Sequence, residues 1–236
     1  MSTLIKIIVA AILSLFLSSC NFGLGVTGNG NVITKERTIS GNFDQIQVSR
    51  GLDVYLGQGQ TENIKVQADE NLHDIIITKI EDNILKIYAD KNISRSSSKK
   101  VIVNFKNISK ISSSSGSDIY GTSLISVDNL ELNSSSGSDM ELEVNVNSLH
   151  CEASSGSDLK VKGVANTLVA IASSGSDIKA KNLETAITNA TASSGADIQV
   201  NVSQELNAKA QSGGDITYMG NPETINKSDG VYASKN

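Results

Sequence analysis

The stretch Ser154-Ser155-Gly156-Ser157-Asp158 decides the fold, because the same five letters recur along the second half of the chain. The sequence SSGSD occurs at residues 114–118, 135–139, 154–158 and 173–177, and the variants SSGAD and QSGGD follow at residues 193–197 and 211–215. The glycines of successive copies are 21, 19, 19, 20 and 18 residues apart. A fixed period near 20 residues is typical of a solenoid, in which every repeat packs against its two neighbours.

Apolar and polar residues alternate on both sides of the repeated glycine. In the third copy, centred on Gly156, the apolar positions are Leu149 and Cys151 before the glycine and Leu159 and Val161 after it. Alternation with a period of two is typical of short strands that bury one face. The period of 3.6 residues that would indicate helices does not occur in the repeats. The sequence therefore predicts an all-β fold, a parallel β-helix or solenoid with coils of about 20 residues, each able to hold three short strands.

The SSGSD segment has the residue types of a tight corner between strands. Glycine tolerates a positive φ angle, and serine and aspartate side chains hydrogen-bond nearby backbone groups. Stacked corners predict rows of serine and aspartate, and the aspartates form the candidate surface ladder: Asp118, Asp139, Asp158, Asp177, Asp197 and Asp215. A solvated structural ladder is the first interpretation. Calcium, which binds oxygen ligands, is the alternative, but the period differs from that of the calcium-binding nonapeptide repeats and lysines lie close by. No metal and no cofactor are predicted.

The first 20 residues have the features of a bacterial lipoprotein signal peptide. Lys6 precedes an apolar run at residues 7–17, which is shorter than the roughly 20 residues needed to span a bilayer. The run ends in LSSC at residues 17–20, which resembles a lipobox, so Cys20 is predicted to carry a lipid. An ordinary signal peptide with an incidental cysteine is the alternative. A lipid anchor makes the membrane a partner. Asn21 follows Cys20, and no aspartate is there to indicate retention in the inner membrane, so we expect the outer membrane, on either its periplasmic or its surface face.

These patterns divide the chain into five segments. Residues 1–20 are the signal peptide, residues 21–31 a glycine-rich flexible tether, and residues 32–108 an N-terminal β region. Residues 109–220 are the repeat solenoid, and residues 221–236 are a C-terminal tail. The N-terminal region lacks SSGSD, but Ser49-Arg50-Gly51 is typical of a degenerate corner and residues 75–89 of a hairpin. We interpret this region as the start and cap of the solenoid, with a separate N-terminal β domain as the alternative.

The composition excludes several classes of function. The 236 residues carry a formal net charge of −5 and are 4% aromatic, which indicates neither a basic surface nor stacking platforms for nucleic acid. His73 and His150 are each expected at the surface, without a second metal ligand nearby. Cys151 is expected to be a small buried apolar residue. The acids recur identically in every repeat, whereas catalysis needs a unique constellation, so no catalytic residue and no enzyme activity are predicted.

Several motifs resemble those of a known family of bacterial lipoproteins. They are the pattern Phe43-x-x-Ile46-x-Val48, the segment VYL at residues 54–56, NILKI at residues 83–87, the tandem corners, and the closing Gly220-Asn221-Pro222. Together they resemble the putative auto-transporter adhesin, head GIN domain family, over residues 32–218 and into the tail. The resemblance implies a right-handed β-helix in secreted or anchored proteins, and it implies no catalytic residue.

The expected function is that of a lipid-anchored cell-envelope solenoid that acts as an adhesin-like binding module. A face rich in serine, threonine and asparagine suits a glycan or an envelope protein, which would bind through many shallow hydrogen bonds. A self-assembling envelope scaffold without a ligand is the alternative, because solenoid ends expose strand edges that invite pairing. A polysaccharide-acting β-helix enzyme is a remote alternative, kept because this fold class includes such enzymes.

Overall fold

The computed structural model describes residues 25–234, so the predicted signal peptide and Cys20 lie outside the described residues. Seventeen of the nineteen described strands belong to one sheet, and β1 and β8 form a separate pair. The strands are β1 (Val26–Thr27), β2 (Val32–Arg37), β3 (Gln45–Ser49), β4 (Asp53–Gln58), β5 (Asn63–Asp69), β6 (Ile76–Glu81), β7 (Ile84–Ala89), β8 (Ile93–Arg95), β9 (Lys99–Phe105), β10 (Lys110–Ser113), β11 (Asp118–Gly121), β12 (Ile125–Ser135), β13 (Asp139–Ser154), β14 (Asp158–Ser173), β15 (Asp177–Ser193), β16 (Asp197–Gln211), β17 (Asp215–Met219), β18 (Thr224–Lys227) and β19 (Val231–Ala233). One short 3₁₀ turn, Glu70–Leu72, follows β5. The predicted all-β solenoid is confirmed.

Strands β12 to β16 stack in parallel register, so each repeat adds one layer to the sheet. The column through Cys151 illustrates this: Leu132 pairs with Cys151, Cys151 with Ala170, and Ala170 with Ala190. All four side chains are buried. The small residues of the later repeats keep this column thin, and the other inward columns complete one continuous apolar core. In residues 25–234 no helix is long and apolar enough to cross a membrane.

Each repeat turns at the predicted corner through two consecutive residues with positive φ. The six serines before the glycine have φ of 52° to 57°, and the six glycines have φ of 66° to 75°. The amide N–H of Gly156 donates to the carbonyl oxygen of Ser174 in the next coil, at an N–O distance of 3.1 Å. The first five corners are each held in this way by the next corner. This explains why the five letters recur at the same point of every coil.

In the coils of β13 to β16, one long bent strand runs from corner to corner in place of the three short strands expected. Strands β13, β14 and β15 contain 16, 16 and 17 residues, and their pairing continues along nearly the whole length. The bend is visible in which side chains are buried. Up to Val146 the even-numbered residues of β13 face the core, Asn147 and Ser148 both lie outside it, and from Leu149 onward the odd-numbered residues face the core. Asn166 and Thr167 do the same one coil later. This bend keeps the hydrogen bonds between strands and needs no corner glycine, so no repeated motif marks it.

The N-terminal strands build coils whose order in space differs from their order in the chain. Strand β3 pairs with β10 on one edge and with β7 on the other, and β4 lies likewise between β11 and β9. All four pairings are parallel. The corner between β3 and β4 has Arg50 and Gly51 at φ of 64° and 75°, which confirms the degenerate corner. The sheet therefore runs without a break from the N-terminal strands into the repeats.

Antiparallel strands close the end of the solenoid at which the chain starts. Strand β6 forms the predicted hairpin with β7, and β5 and β2 add two antiparallel strands beyond β9. The segment predicted as a tether is docked from Gly25 onward, since β1 pairs with β8. The carboxylate of Asp69 accepts hydrogen bonds from the amides of Gly30, Ser97 and Ser98. Burial alone would raise the pKa of Asp69, but these bonds hold the pKa below its usual value.

The opposite end of the solenoid is less well covered. Strands β18 and β19 come from the segment predicted as a tail, yet they pair with β16 and β17 and so continue the sheet. They contain only four and three residues, and their side chains Ile225 and Tyr232 are exposed. The two ends of the described sheet therefore differ in how much strand covers them.

Candidate functional site

A groove of about 720 Å³ follows the bend at Asn147 across strands β12 to β16. We call it the polar groove. One side carries Ser126, Asn145, Val164, Glu184 and Asn201, which pair with one another from strand to strand, and the other side carries Asp128, Asn147, Asn166, Ala186 and Ser203. At the usual spacing between strands, five strands give the groove a length of about 19 Å. The groove is therefore long and open, with its polar groups in rows.

The polar groove presents carboxamide groups at the spacing of the strands. Asn147 and Asn166 occupy equivalent positions in neighbouring coils. Nδ2 of Asn166 donates a hydrogen bond to Oδ1 of Asn147 at 3.4 Å. Asn145 and Asn201 lie on the other side of the groove. A carboxamide both donates and accepts hydrogen bonds, as a hydroxyl group does, so a row of carboxamides can bind a row of hydroxyls. Val164, 49% exposed, adds an apolar contact in the middle.

The charges of the polar groove favour a neutral ligand. Its charged residues are Asp128 and Glu184, and no lysine or arginine lines it. An anionic ligand would therefore meet like charge. The wall at Asn201 is fixed from inside, because Oγ1 of Thr185 donates to the Asn201 carbonyl at 2.7 Å and lies 2.7 Å from Oγ1 of the buried Thr188. The arrangement can bind a neutral chain that carries many hydroxyl groups without large movement of the backbone.

Sequence reasoning predicted a polar face but did not locate this groove. Most of its positions carry different residue types in successive coils, for example Asn145, Val164 and Glu184, and only Asn147 and Asn166 repeat the same residue. The usable signal is a pair of adjacent outward residues that breaks the alternation. That pair recurs 19 residues apart, as residues 147–148 and 166–167.

The predicted aspartates form one row in register beside the corners. They pair in succession from Asp118 through Asp139, Asp158, Asp177 and Asp197 to Asp215. Asp53 of β4 extends this row at the N-terminal end, since it pairs with Asp118. Sequence reasoning missed Asp53, although Gly51-Leu52-Asp53 has the same Gly-x-Asp spacing as the repeats.

The carboxylates of this row repel one another, and lysine offsets the repulsion in part. Burial, followed by the charges of Asp118 and Asp158, raises the pKa of Asp139. Nζ of Lys179 lies 2.7 Å from Oδ2 of Asp158 and 3.2 Å from Oδ2 of Asp177. Among residues 25–234, no three His, Cys, Asp or Glu side chains form a group that could hold a metal ion. The row therefore follows the outward face of the sheet, with Lys179 beside two of its members.

In the first four corners, the serine after the glycine points into the core, next to an aspartate that points outward. Ser176 is fully buried; its Oγ donates to the Ala153 carbonyl at 2.8 Å and accepts from the Ser173 amide at 3.1 Å. Ser157 and Ser138 make the equivalent contacts in their coils. This row of hydroxyls therefore satisfies backbone groups inside the solenoid and is not part of a binding surface.

The remaining candidates are the cysteines and the histidines. Cys151 is buried, as predicted, and burial raises the pKa of its thiol, which makes it unreactive. The prediction that His73 lies at the surface is wrong: the residue is 2% exposed, and its Nε2 lies 3.2 Å from the carbonyl oxygen of Ile33. The reason is that β2 covers the turn after β5. His150 is partly exposed on β13, and Cys20 lies outside the described residues.

Comparison with protein families gives one match. The model of the family described as "Putative auto-transporter adhesin, head GIN domain" matches residues 42–222. This range contains strands β3 to β17, and with them the corners, the aspartate row and the polar groove. No curated protein matches the chain.

Solved structures with the same fold come from Bacteroides and Parabacteroides species. A putative adhesin from Bacteroides fragilis NCTC 9343 has a TM-score of 0.82 at 20% identity, over 89% of this chain and 98% of its own. A putative lipid binding protein from Parabacteroides distasonis ATCC 8503 has a TM-score of 0.69 at 22% identity, over 89% and 99%. A putative adhesin from Parabacteroides merdae ATCC 43184 has a TM-score of 0.70 at 20% identity, over the same shares. At these identities the likeness shows the fold.

Proposed function

The chain belongs to the family described as putative auto-transporter adhesin, head GIN domain, and from this we propose that it is a cell-envelope adhesion module that binds a neutral glycan in the polar groove. The observation that carries the proposal is a groove without basic residues that contains four asparagines, two of them, Asn147 and Asn166, side by side in neighbouring coils. A binding role without catalysis agrees with the descriptions of the similar structures above, none of which names an enzyme.

A glycan fits the polar groove better than a folded protein does. The groove is about five strands long, and four of the five residues on each side have hydrogen-bonding side chains, which suits the many hydroxyls along a polymer of sugar units. Each carboxamide contributes a modest hydrogen bond, so affinity comes from several contacts in a row and not from one deep pocket. The exposed side chain of Val164 offers the apolar contact that the carbon-bound hydrogens of a sugar need.

We propose further that Cys20 carries a lipid and holds the module at the outer membrane. The lipobox-like LSSC motif supports this, and two or three acyl chains on one cysteine give stable anchoring where a single chain is marginal. The described fold starts at Gly25, five residues after Cys20. Such a short connection would keep the N-terminal end of the solenoid close to the bilayer.

An array of neutral and acidic glycans tests the groove. The probe is the chain from residue 21 onward, which contains the whole described sheet and its core. We expect binding to a subset of neutral glycans, and a loss of at least about tenfold in the variant with Asn147→Ala and Asn166→Ala, because two hydrogen bonds of roughly 1 kcal/mol are removed. Asn182→Ala with Gln199→Ala is the matched control, since both residues are polar and lie outside the groove.

Three results would contradict the proposal: binding to acidic glycans only, equal losses in the groove variant and its control, or no binding to any glycan. The last result, together with oligomers that increase with protein concentration, would favour a structural envelope scaffold instead. The exposed strands at the C-terminal end of the sheet are the surfaces through which such a scaffold would assemble.

A further inference from the structure

A second concave site lies at the N-terminal end of the solenoid, outside the polar groove. It has a volume of about 340 Å³ and is formed on the outward face of strands β3, β7 and β6. We call it the basic pocket. Its lining is Gln47, Ser49, Arg50, Lys79, Lys86, Tyr88 and Asp90. Gln47 and Lys79 each pair with Lys86 across the sheet, so three polar side chains lie in one row.

The fold holds two lysines of this pocket side by side. Lys79 and Lys86 lie directly opposite each other on antiparallel strands, where like charges destabilise a sheet. One carboxylate serves both, with Oε1 of Glu81 at 2.8 Å from Lys79 and Oε2 at 2.8 Å from Lys86. The hydrogen bonds from Lys79 and Lys86 lower the pKa of Glu81 to about 2. One carboxylate therefore neutralises only one of the two ammonium groups, and the three side chains together keep a net charge of +1.

Arg50 adds a third cation on the same face. Its guanidinium Nη1 donates to the carbonyl oxygens of Ala89 at 3.1 Å and Asp90 at 3.4 Å, and its Cζ lies 5.5 Å from the centre of the Tyr88 ring. In residues 25–234 no carboxylate lies within 4.0 Å of it as an ion pair. Three cations thus face two acids, Glu81 and Asp90, in a chain whose net charge is negative. The pocket is suited to an anion.

The charge of the molecule is distributed unevenly: the N-terminal part, which contains the basic pocket, is slightly positive, and the rest is strongly negative. Residues 25–108 contain 11 lysines and arginines and 10 acidic residues, whereas residues 109–236 contain 8 and 15, so the net charges are +1 and −7. All three arginines lie in the first part: Arg37, Arg50 and Arg95. The acidic repeats and the basic pocket therefore lie at different places along the solenoid.

The basic pocket is next to the point where the chain from Cys20 joins the fold. The amide of Val26 donates to the carbonyl oxygen of Asn92 at 2.7 Å, and Asn92 lies two residues after Asp90 of the pocket lining. Six residues lead from Cys20 to Val26 and span at most about 21 Å when fully extended. If Cys20 is lipidated, the basic pocket can reach the membrane surface, and the polar groove lies further along the solenoid.

We propose that the basic pocket binds the phosphate group of an anionic lipid headgroup and so orients the solenoid on the membrane with its acidic repeats pointing away. This inference rests on the proposed lipid anchor for the proximity of the bilayer. Each basic side chain near an anionic membrane surface strengthens binding roughly fivefold, and the attraction falls off within a Debye length of about 8 to 10 Å. Gln47 and Ser49 offer further hydrogen bonds to the phosphate oxygens or to headgroup hydroxyls.

Vesicle binding tests the inference without the lipid anchor. The chain from residue 21 onward, which lacks the acylation site, is sedimented with vesicles of phosphatidylcholine alone or with phosphatidylglycerol added. We expect binding to the anionic vesicles only, and loss of that binding in high salt. The variant with Lys79→Gln and Lys86→Gln should bind roughly fivefold more weakly for each charge removed. Glu81→Gln, which removes the competing carboxylate, should bind more tightly.

The matched control is the variant with Lys160→Gln and Lys162→Gln, whose lysines pair with Glu141 and Glu143 on the repeats. Equal losses in the two double variants, equal binding to both kinds of vesicle, or no gain in Glu81→Gln would overturn the inference. A thermal shift with inorganic phosphate but no vesicle binding would assign the pocket to a free anion and overturn the membrane assignment. Labelled palmitate, incorporated by the full chain and lost in Cys20→Ser, tests the anchor separately, so either idea can fail alone.

Discussion

At the scale of single residues, two neighbours in the SSGSD segment have opposite roles. Ser176 points inward and satisfies backbone groups of two coils, whereas Asp177 points outward into the row of carboxylates. The hydroxyl stabilises because a buried amide or carbonyl without a partner costs about 1 to 3 kcal/mol. The carboxylate brings repulsion from the coils above and below it. The repeat therefore combines a stabilising row of serine hydroxyls with a destabilising row of carboxylates. Solvent and Lys179 reduce the repulsion between the carboxylates.

Asp139→Asn should stabilise the protein at neutral pH. Burial, followed by the charges of Asp118 and Asp158, raises the pKa of Asp139 in the folded state above the ordinary value of 3.8. The folded state therefore binds the proton more tightly than the unfolded state, and the charged form of Asp139 costs stability above its folded pKa. That cost disappears once the pH is below the unfolded value. We expect a gain of roughly 0.5 kcal/mol at pH 7 in urea unfolding and none near pH 3.

Asp158→Asn is the control for this prediction. Its carboxylate lies 2.7 Å from Nζ of Lys179, so the substitution removes an attraction together with the repulsion. It should give no gain at pH 7. Equal stabilisation by both substitutions would show that ionic pairing within the row has no influence on stability.

At the scale of elements, two glycines of the repeats are required for different reasons. The corner before β15 needs positive φ at Ser174 and Gly175, and nothing lies within 4 Å of the place where a Cβ on Gly175 would be. Within β14, Gly163 has φ of 114°, and a Cβ there would collide with the carbonyl oxygen of Val144 in the preceding coil. The first glycine is required by its conformation alone. The second is required by conformation and by the close approach of the neighbouring strand.

Substitution by alanine should separate these two requirements. Gly175→Ala should cost about 1 to 2 kcal/mol of unfolding free energy, the penalty of a left-handed conformation for a residue with a Cβ. Gly163→Ala should cost more, about 3 kcal/mol, because β14 must also move away from Val144. Urea unfolding of the two variants measures the difference. A larger loss in Gly175→Ala would contradict this assignment of roles.

At the scale of the whole molecule, the ends of the sheet differ more than its middle. Antiparallel strands β6 and β5 cover the outer edges of β7 and β9, and β2 adds a further strand. The C-terminal end finishes in β18 and β19, whose four and three residues include the exposed Ile225 and Tyr232. In a repeat protein each coil depends on its neighbours for stability, so a poorly covered end frays first.

Native-state hydrogen exchange should reveal this asymmetry. We expect the amides of β17, β18 and β19 to exchange faster than those of β7 and β9, with the amides of β14 slowest, because local opening is easiest where fewest contacts must break. The central strand provides the internal reference for global unfolding. Equal exchange at both ends would show that the antiparallel strands add no protection.

Much of this architecture can be predicted from the sequence, and the reason lies in its periodicity. The spacing of Gly116 to Gly213 gives the coil length, the alternation gives the inward columns, and the corner letters give the row from Asp118 to Asp215. The place of Asp53 in that row depends on pairing between β4 and β11, which are distant in the chain. The polar groove arises at a bend that no motif marks in every coil, and the burial of His73 depends on β2 folding over it. Non-local contacts thus decide what periodicity leaves open.

The position of β3 and β4 between strands that come later in the chain bears on how the protein folds. Contacts from this coil reach 39 residues ahead to β7 and 65 residues ahead to β11, whereas successive repeats are joined by contacts only 19 residues apart. Long loops are slower to close than short ones, since more chain must be ordered before a contact forms. The closing of β10 and β11 onto β3 and β4 is therefore expected to limit the rate. Once it is complete, the later repeats add rapidly one at a time, so a family member with extra coils would be longer without folding more slowly.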